Sequence, residues 1–232
     1  MTVGVVGLGP IAAQIVRRLL ATGHHCVVFD KSPRTVAEFA AEKAHGASSL
    51  RDLVNEVDAP RVVLLTGACE DVEAALRELL PHLQGGDVIV DCAETYRMED
   101  VRRAGTLAAA GIHYVDVGIG AAAAQPDDRF SLTVGGEEPI VRALDPLLRE
   151  LTPRRHPRGA AAFDAAGEHG YLYCGPGGSG HFLRIIHSGI ERCLLEMTAR
   201  MLSRDTANAA LISTRLIAAL REAEVGLPEL HR

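Results

Sequence analysis

The chain of 232 residues carries 24 Lys and Arg against 30 Asp and Glu, so its net charge of −6 leaves no basic excess to drive binding to nucleic acid or anionic membranes. With 47% hydrophobic residues it can bury a large core, yet its apolar runs fall far short of the roughly 18–20 residues a membrane span needs. The five cysteines (Cys26, Cys69, Cys92, Cys174 and Cys193) form no C-x-x-C pair, and Met1-Thr2 leads straight into a strand pattern with no secretory leader, so a soluble cytoplasmic protein with free thiols is expected.

Taken in chain order, Thr2–Val6 reads as an apolar strand ending at Gly7, followed by a helix over Pro10–Thr22 that Gly23 closes. The pattern then predicts strand His25–Asp30, helices Arg34–Glu42 and Ser49–Val57, strand Arg61–Thr66, helix Glu70–Leu83 and strand Asp87–Asp91. Helix Arg97–Ala110 and strand His113–Val117 continue the alternation, and Phe130–Val134 reads as one more strand before a helix over Glu138–Glu150. Strands apolar on both faces, separated by helices, predict an α/β fold with a Rossmann-type, doubly wound and mainly parallel sheet. From Thr152 to Gly170, Pro, Arg, Ala and Gly replace this cadence and predict a loop. Tyr171–Gly180 is a glycine-rich turn, and helices are expected over His181–Ser203 and Thr206–Val225. The expected organisation is therefore a nucleotide-binding domain over 1–152, a linker over 153–170, and a short helical segment over 171–232. That segment is too small to bury its own core, which predicts packing on a partner and a homodimer.

Gly7-Leu8-Gly9-Pro10-Ile11-Ala12 fits G-x-G-x-x-G/A at a strand-to-helix turn. Gly7 permits the turn, Gly9 lets backbone approach a pyrophosphate, and Ala12 allows close helix–strand packing, while the helix N-terminus presents N–H groups to phosphate. Asp30 ends the second strand about twenty residues on, where a carboxylate hydrogen-bonds the adenosine ribose. It would repel a 2′-phosphate and so favours NAD, whereas its neighbours Lys31 and Arg34 leave NADP possible. Leu65, Thr66 and Gly67 after the third long strand, and Ala93 after the next, complete the expected cofactor contacts.

Five segments, Val5–Ala12 (VVGLGPIA), Asp91–Tyr96 (DCAETY), Gly111–Gly118 (GIHYVDVG), Ser131–Glu137 (SLTVGGE) and Tyr171–Glu191 (YLYCGPGGSGHFLRIIHSGIE), occur in an order that resembles the decarboxylating phosphogluconate dehydrogenase family, within the wider β-hydroxyacid dehydrogenase group. The resemblance runs from Met1 to about Glu191, and the helical tail beyond reads as shortened. It implies that His187 contacts substrate and that Glu191 donates a proton. The departures are specific. The family's lysine base is Arg184 here, its partner asparagine is Ser188, and a tyrosine that contacts the substrate phosphate is Arg192. The amide-bearing D-G-G-N-S stretch is Asp91-Cys92-Ala93-Glu94-Thr95, and the carboxylate-gripping S-G-G loop is Gly120-Ala121-Ala122-Ala123-Ala124.

Arg184, His187, Ser188 and Glu191 are spaced i, i+3, i+4 and i+7 and so share one helix face. Arginine is a poor base at neutral pH. The chain's two lysines, Lys31 and Lys43, both precede the third long strand. Decarboxylation of phosphogluconate is therefore not expected. His187 is the candidate base, and Glu94 with Glu191 forms a candidate acid–base pair. Loss of the S-G-G loop implies a substrate without a sugar-acid carboxylate, such as a neutral sugar, polyol or nucleoside. The leading expectation is an NAD-dependent dehydrogenase of such an alcohol. The alternatives are a redox-neutral dehydratase or epimerase with tightly held NAD, and a non-catalytic nucleotide-binding homologue. Tyr96 and Tyr114 read as packing residues or phenol donors, and Cys69 and Cys92 as small buried hydrophobes or pocket-lining residues near the site. Gly175–Gly180 lacks the Lys-Ser/Thr of a phosphate loop, no histidine pair has metal-site spacing, and His231-Arg232 reads as a loose end.

Overall fold

A computed structural model describes residues 1–67, 69–93, 95–121, 130–152 and 170–202. The nucleotide-binding half begins with β1 (Thr2–Val6), α1 (Pro10–Ala21), β2 (His25–Phe29), α2 (Pro33–Ala41), β3 (His45–Gly46), α3 (Leu50–Glu56), β4 (Val62–Leu65) and α4 (Cys69–Leu79). It continues through β5 (Val88–Asp91), α5 (Arg97–Ala108), β6 (His113–Ala121), β7 (Phe130–Gly135), α6 (Glu138–Ala143), α7 (Asp145–Leu151), β8 (Leu172–Gly175) and α8 (Ser179–Leu202). The eight strands form one sheet in the order β3-β2-β1-β4-β5-β6-β7-β8, parallel except where β7 runs antiparallel to β6. Val5 pairs with Val28 on one side and Leu64 on the other, so the first βαβ units place all three strand ends along one edge.

Helices cover both faces because each strand sends apolar side chains both ways. Val3, Val5 and Val28 pack with Ala12, Ile15, Val16 and Leu19 of α1, whose spacing of three and four makes one buried stripe. Val6, Val27, Val63 and Leu65 face Leu50, Leu53 and Val54 of α3 on the other side. Starts are set locally: Pro10 opens α1, Ser32 Oγ accepts from Thr35 N–H, and Ser49 Oγ accepts from Asp52 N–H.

The structure departs from the periodicity at several points. The expected helix over Glu138–Glu150 is two helices, because Pro146 cannot donate to the preceding turn and the chain restarts at Asp145. The expected helix ending at Leu83 stops at Leu79 and tightens into a 3₁₀ turn, Leu80–His82, around Pro81. The glycine-rich segment read as a turn before a helical tail contains β8, which pairs with β7, and α8 packs on β6 and β7. Residues 171–202 thus add a strand to the sheet and lay a helix against β6 and β7. The linker over 153–169, the helix expected over Thr206–Val225, and His231-Arg232 lie outside the described residues. No helix among the described residues is long and apolar enough to cross a membrane.

Candidate active site

A cleft of about 380 Å³ opens over the ends of β1, β2 and β4, lined by Gly7, Leu8, Gly9, Asp30, Thr66 and Gly67 among others. In this strand order the chain changes direction between β1 and β4, the crevice where doubly wound sheets take their ligands. Gly7 sits at φ +86°, and a Cβ there would fall 2.9 Å from Gly67 N, so only glycine lets the two loops meet. A Cβ at Gly9 would meet nothing within 4 Å, which leaves open space over the N-terminus of α1 for a pyrophosphate. Thr66 Oγ donates to the carbonyls of Val6 and Gly7 and clamps the turn from below.

Asp30 does two things at once. Its Oδ2 accepts from Leu8 N–H at 2.8 Å and its Oδ1 from Ser32 N–H at 2.8 Å, so the carboxylate both braces the glycine turn and faces the cleft. Lys31 Nζ lies 2.5 Å from Asp71 and Arg34 pairs with Glu38, so both basic neighbours of Asp30 already hold carboxylates. Leu65 and Lys31 also border the cleft, whereas Pro10 and Ile11 lie at the exposed start of α1. Ala93 is 3% exposed, is not in the cleft wall, and gives its N–H to Asp91 Oδ1 at 3.0 Å.

The other residues singled out in the sequence lie on α8. Gly180 seats it: a Cβ there would come within 2.6 to 2.7 Å of Thr133 O, Asp116 O and Gly135 N, all backbone atoms that cannot yield. The helix therefore lies directly on β6 and β7, and Arg184 lies over Gly120, where a Cβ would be 3.1 Å from its Nη1. Arg184 Nη1 reaches His187 Nδ1 at 3.5 Å, and that Nδ1 lies 3.7 Å from Glu191 Oε2. Arg184 Nε is buried with no hydrogen-bond partner among the described residues. Arg184, His187 and Ser188 are half-buried, while Glu191 and Arg192 are exposed farther along the helix. The fold thus unites Gly120, Arg184, His187 and Glu191. Glu94, Ala122 and the side chain of Ala121 lie outside the described residues.

Between β5, α5, β6 and α8 lies a buried polar junction that motif reading missed. Asp91, Asp100, Asp116, Arg103, Thr95 and His181 are each no more than 3% exposed. Arg103 reaches Asp91 at 3.0 Å, Asp100 at 3.6 Å and Glu73 at 2.7 Å. Tyr114, read as a packing residue or a phenol donor, places its hydroxyl 2.8 Å from Asp91 and 2.9 Å from Asp100. His181 Nδ1 lies 3.1 Å from Asp100 Oδ2 and 3.0 Å from Thr95 Oγ, while Thr95 Oγ donates to Asp100 Oδ1. Burial works against the imidazolium of His181, but the hydrogen bond and charge of Asp100 outweigh it, with Asp91 and Asp116 adding to them, and its pKa is raised. For Asp100 burial works in the opposite sense, and the bond to His181 prevails and holds its carboxyl below the usual range. Burial raises Asp91 and Asp116.

Asp100, Asp116 and His181 bring ligand-type atoms within 4.8 Å of one another. Asp116 Oδ1 and Oδ2 accept from Gly178 and His181 N–H, and both oxygens of Asp100 are likewise engaged, so in this structure the cluster is a hydrogen-bonded joint. Asp100 and Arg103, three apart, look like a surface helix pair, and Asp116 looks like a strand end.

The glycine turn, the acid at the end of β2 and the crevice at the change of strand direction define a Rossmann-type domain for NAD or NADP. Residues 2–158 match the family model described as the NAD binding domain of 6-phosphogluconate dehydrogenase, and the chain belongs to that family. It is 39% identical over 199 residues to an NAD⁺-dependent decarboxylating 6-phosphogluconate dehydrogenase of Haloferax volcanii, covering 84% of this chain and 60% of that relative. The chain thus spans about three-fifths of the length of that relative. Among solved structures it resembles Plasmodium falciparum 6-phosphogluconate dehydrogenase, with TM-score 0.73 and 20% identity over 87% of this chain and 43% of that one. It also resembles Mycobacterium tuberculosis 3-hydroxyisobutyrate dehydrogenase, with TM-score 0.72 and 20% identity over 87% of this chain and 64% of that one. At that identity the two structures speak for the fold alone.

Proposed function

We propose that the chain is a divergent NAD-dependent dehydrogenase of a sugar-like or nucleoside-like alcohol that does not decarboxylate phosphogluconate. The observation that carries this reading is Arg184. It stands over Gly120 with its guanidinium beside His187, at the position where the family resemblance calls for a lysine base. Of the two lysines in the chain, Lys31 is held by Asp71 and Lys43 follows α2, so neither replaces that base.

The glycine turn, Asp30 and Thr66 would hold the dinucleotide, and the engagement of Lys31 and Arg34 with carboxylates favours NAD over NADP. When bound, the nicotinamide supplies the acceptor for the hydride leaving the alcohol carbon. His187 takes the hydroxyl proton, imidazole being the side chain that most often serves as a general base. Arg184 donates hydrogen bonds toward the oxygen as negative charge develops on it. Glu191, beyond His187 on the same face and exposed, orients the ring and passes the proton that His187 has taken to solvent, and Ser188 and Arg192 border the substrate. The redox-neutral and non-catalytic alternatives gain no support from these contacts, and the relatives described above are named as dehydrogenases.

A homodimer belongs to the same reading: Ile185, Ile186, Ile190, Leu195 and Met197 leave α8 with exposed apolar side chains, each at least 40% accessible. Free cysteines suit a cytoplasmic setting. The test is NADH formation from NAD⁺ with neutral polyols, sugars and nucleosides beside phosphogluconate. Turnover of a neutral alcohol but not of phosphogluconate is expected, and full-rate turnover of phosphogluconate would overturn the reading.

A further inference from the structure

We propose that His181 is a positioning residue, whose bridge from α8 to Asp100 and Thr95 holds Arg184 and His187 in register with the loop that follows β5. The inference rests on the reading that α8 carries the reacting groups. It arises from the way one buried side chain joins three elements. The first turn of α8 is fixed from the sheet side by Asp116, which accepts from Gly178 N–H at 2.6 Å and His181 N–H at 2.8 Å, and by Thr133 Oγ, which donates to Gly180 O at 2.8 Å. A carboxylate at a helix N-terminus also answers the partial positive charge there. These contacts set the depth of the helix but leave its first turn held on one side.

His181 supplies the other side. Its ring reaches across to Asp100 on α5 and to Thr95, which lies between β5 and α5. Nε2 is buried with no partner among the described residues, so the hydrogen bonding of the ring to the protein runs through Nδ1. Arg184 is three residues on, about one turn along the same helix, and His187 follows on the same face, so a rotation or lift of the first turn is passed to both. The groups facing the ring are Asp100 from α5, Asp91 from β5 and Asp116 from β6, with Arg103 and the Tyr114 hydroxyl bound to the first two. A cationic ring balances this set. A neutral ring leaves the carboxylates facing one another with Arg103 as their shared cation, and weakens the hold on α8.

The experiment is amide hydrogen exchange of residues 181–190 in the full chain at about pH 6 and about pH 9, corrected for intrinsic rates, with bound NADH emission read in parallel. Unmodified protein and His181→Asn, which keeps an N–H donor but does not titrate, are compared. In the unmodified chain opening of α8 is expected to rise roughly tenfold across this range, and NADH emission to shift with it. In H181N both readouts should be flat with pH. Exchange without a pH step, or a step that persists in H181N, would overturn the proposal. A step in exchange with unchanged NADH emission would also overturn it, since His181 would then serve structure alone. Failure of NADH to bind the unmodified chain would instead overturn the dehydrogenase reading, and it is told apart because the exchange step would remain.

Discussion

Replacing Arg103 by Met tests whether the buried joint holds β5, α5, β6 and α8 together. The Arg103 side chain is 1% exposed and faces three acids: Asp91 at 3.0 Å, Asp100 at 3.6 Å and Glu73 at 2.7 Å. Met fills most of the aliphatic volume but removes the cation, leaving Asp91 and Asp100 buried beside each other. Removing one partner of a buried charge set destabilises by about 3–5 kcal/mol. Against a typical total of about 5–15 kcal/mol this is a large fraction, equivalent to a fall in Tm of roughly 6–20 °C for a chain of this size. Arg102 is the internal control. It touches the same Glu73, at 2.6 Å, and Glu99, at 2.9 Å, but its side chain is 53% exposed, so Arg102→Met should change stability by no more than about 1 kcal/mol. The chain has no tryptophan, so urea unfolding followed by far-ultraviolet circular dichroism is the assay. If R103M lay within about 1 kcal/mol of R102M, the joint would not be the tie described here.

Four further outcomes follow from particular contacts. Asp30→Ala removes the acceptor for Leu8 and Ser32 N–H and should weaken NADH binding by about ten- to a hundredfold in calorimetric titration, with unfolding far less affected. Gly120→Ala places a methyl 2.1 Å from Ser131 Oγ and 3.1 Å from Arg184 Nη1, so it should displace Arg184 and lower turnover of the alcohol by about tenfold or more while leaving NADH affinity unchanged. The raised pKa of His181 contributes stability that is complete below about pH 6.5 and is lost as pH rises through the folded-state value, so Tm should decline on the alkaline side in the parent and not in H181N. Burial pushes the Cys26 thiol up to about 11, the Cys174 thiol up to about 12 and the Cys92 thiol higher still, so alkylation of native protein near neutral pH should label exposed Cys193 and spare these three.

Much of the nucleotide half was legible because its signals are local. A glycine turn, Pro10 at the helix start and an acid at the end of β2 each act through their own backbone, and the alternation of apolar strands and helices needs no distant partner. Features set by tertiary pairing were hidden. β8 is four residues in a glycine-rich stretch, and only β7 beside it makes it a strand. The direction of β7 is fixed by pairing with β6 and not by its composition. At the site, the shared face of Arg184, His187 and Glu191 followed from helical spacing, and the place of Arg184 over Gly120 required the close approach that Gly180 allows. The joint around Asp100 and His181 was invisible for a physical reason. Its acids and bases come from β5, α5, β6 and α8, and taken singly each looks like a solvated polar residue. Pro146 was a signal present in the sequence, and it accounts for the break between α6 and α7.

Calorimetric titration of the purified chain with NADH and with NADPH asks whether the glycine turn and Asp30 form a working dinucleotide cleft. Reversible binding of NADH, with NADPH weaker by about tenfold or more because the Asp30 carboxylate in the cleft would repel a 2′-phosphate, is the predicted result. Absence of binding by either dinucleotide, or tighter binding of NADPH, would contradict the account.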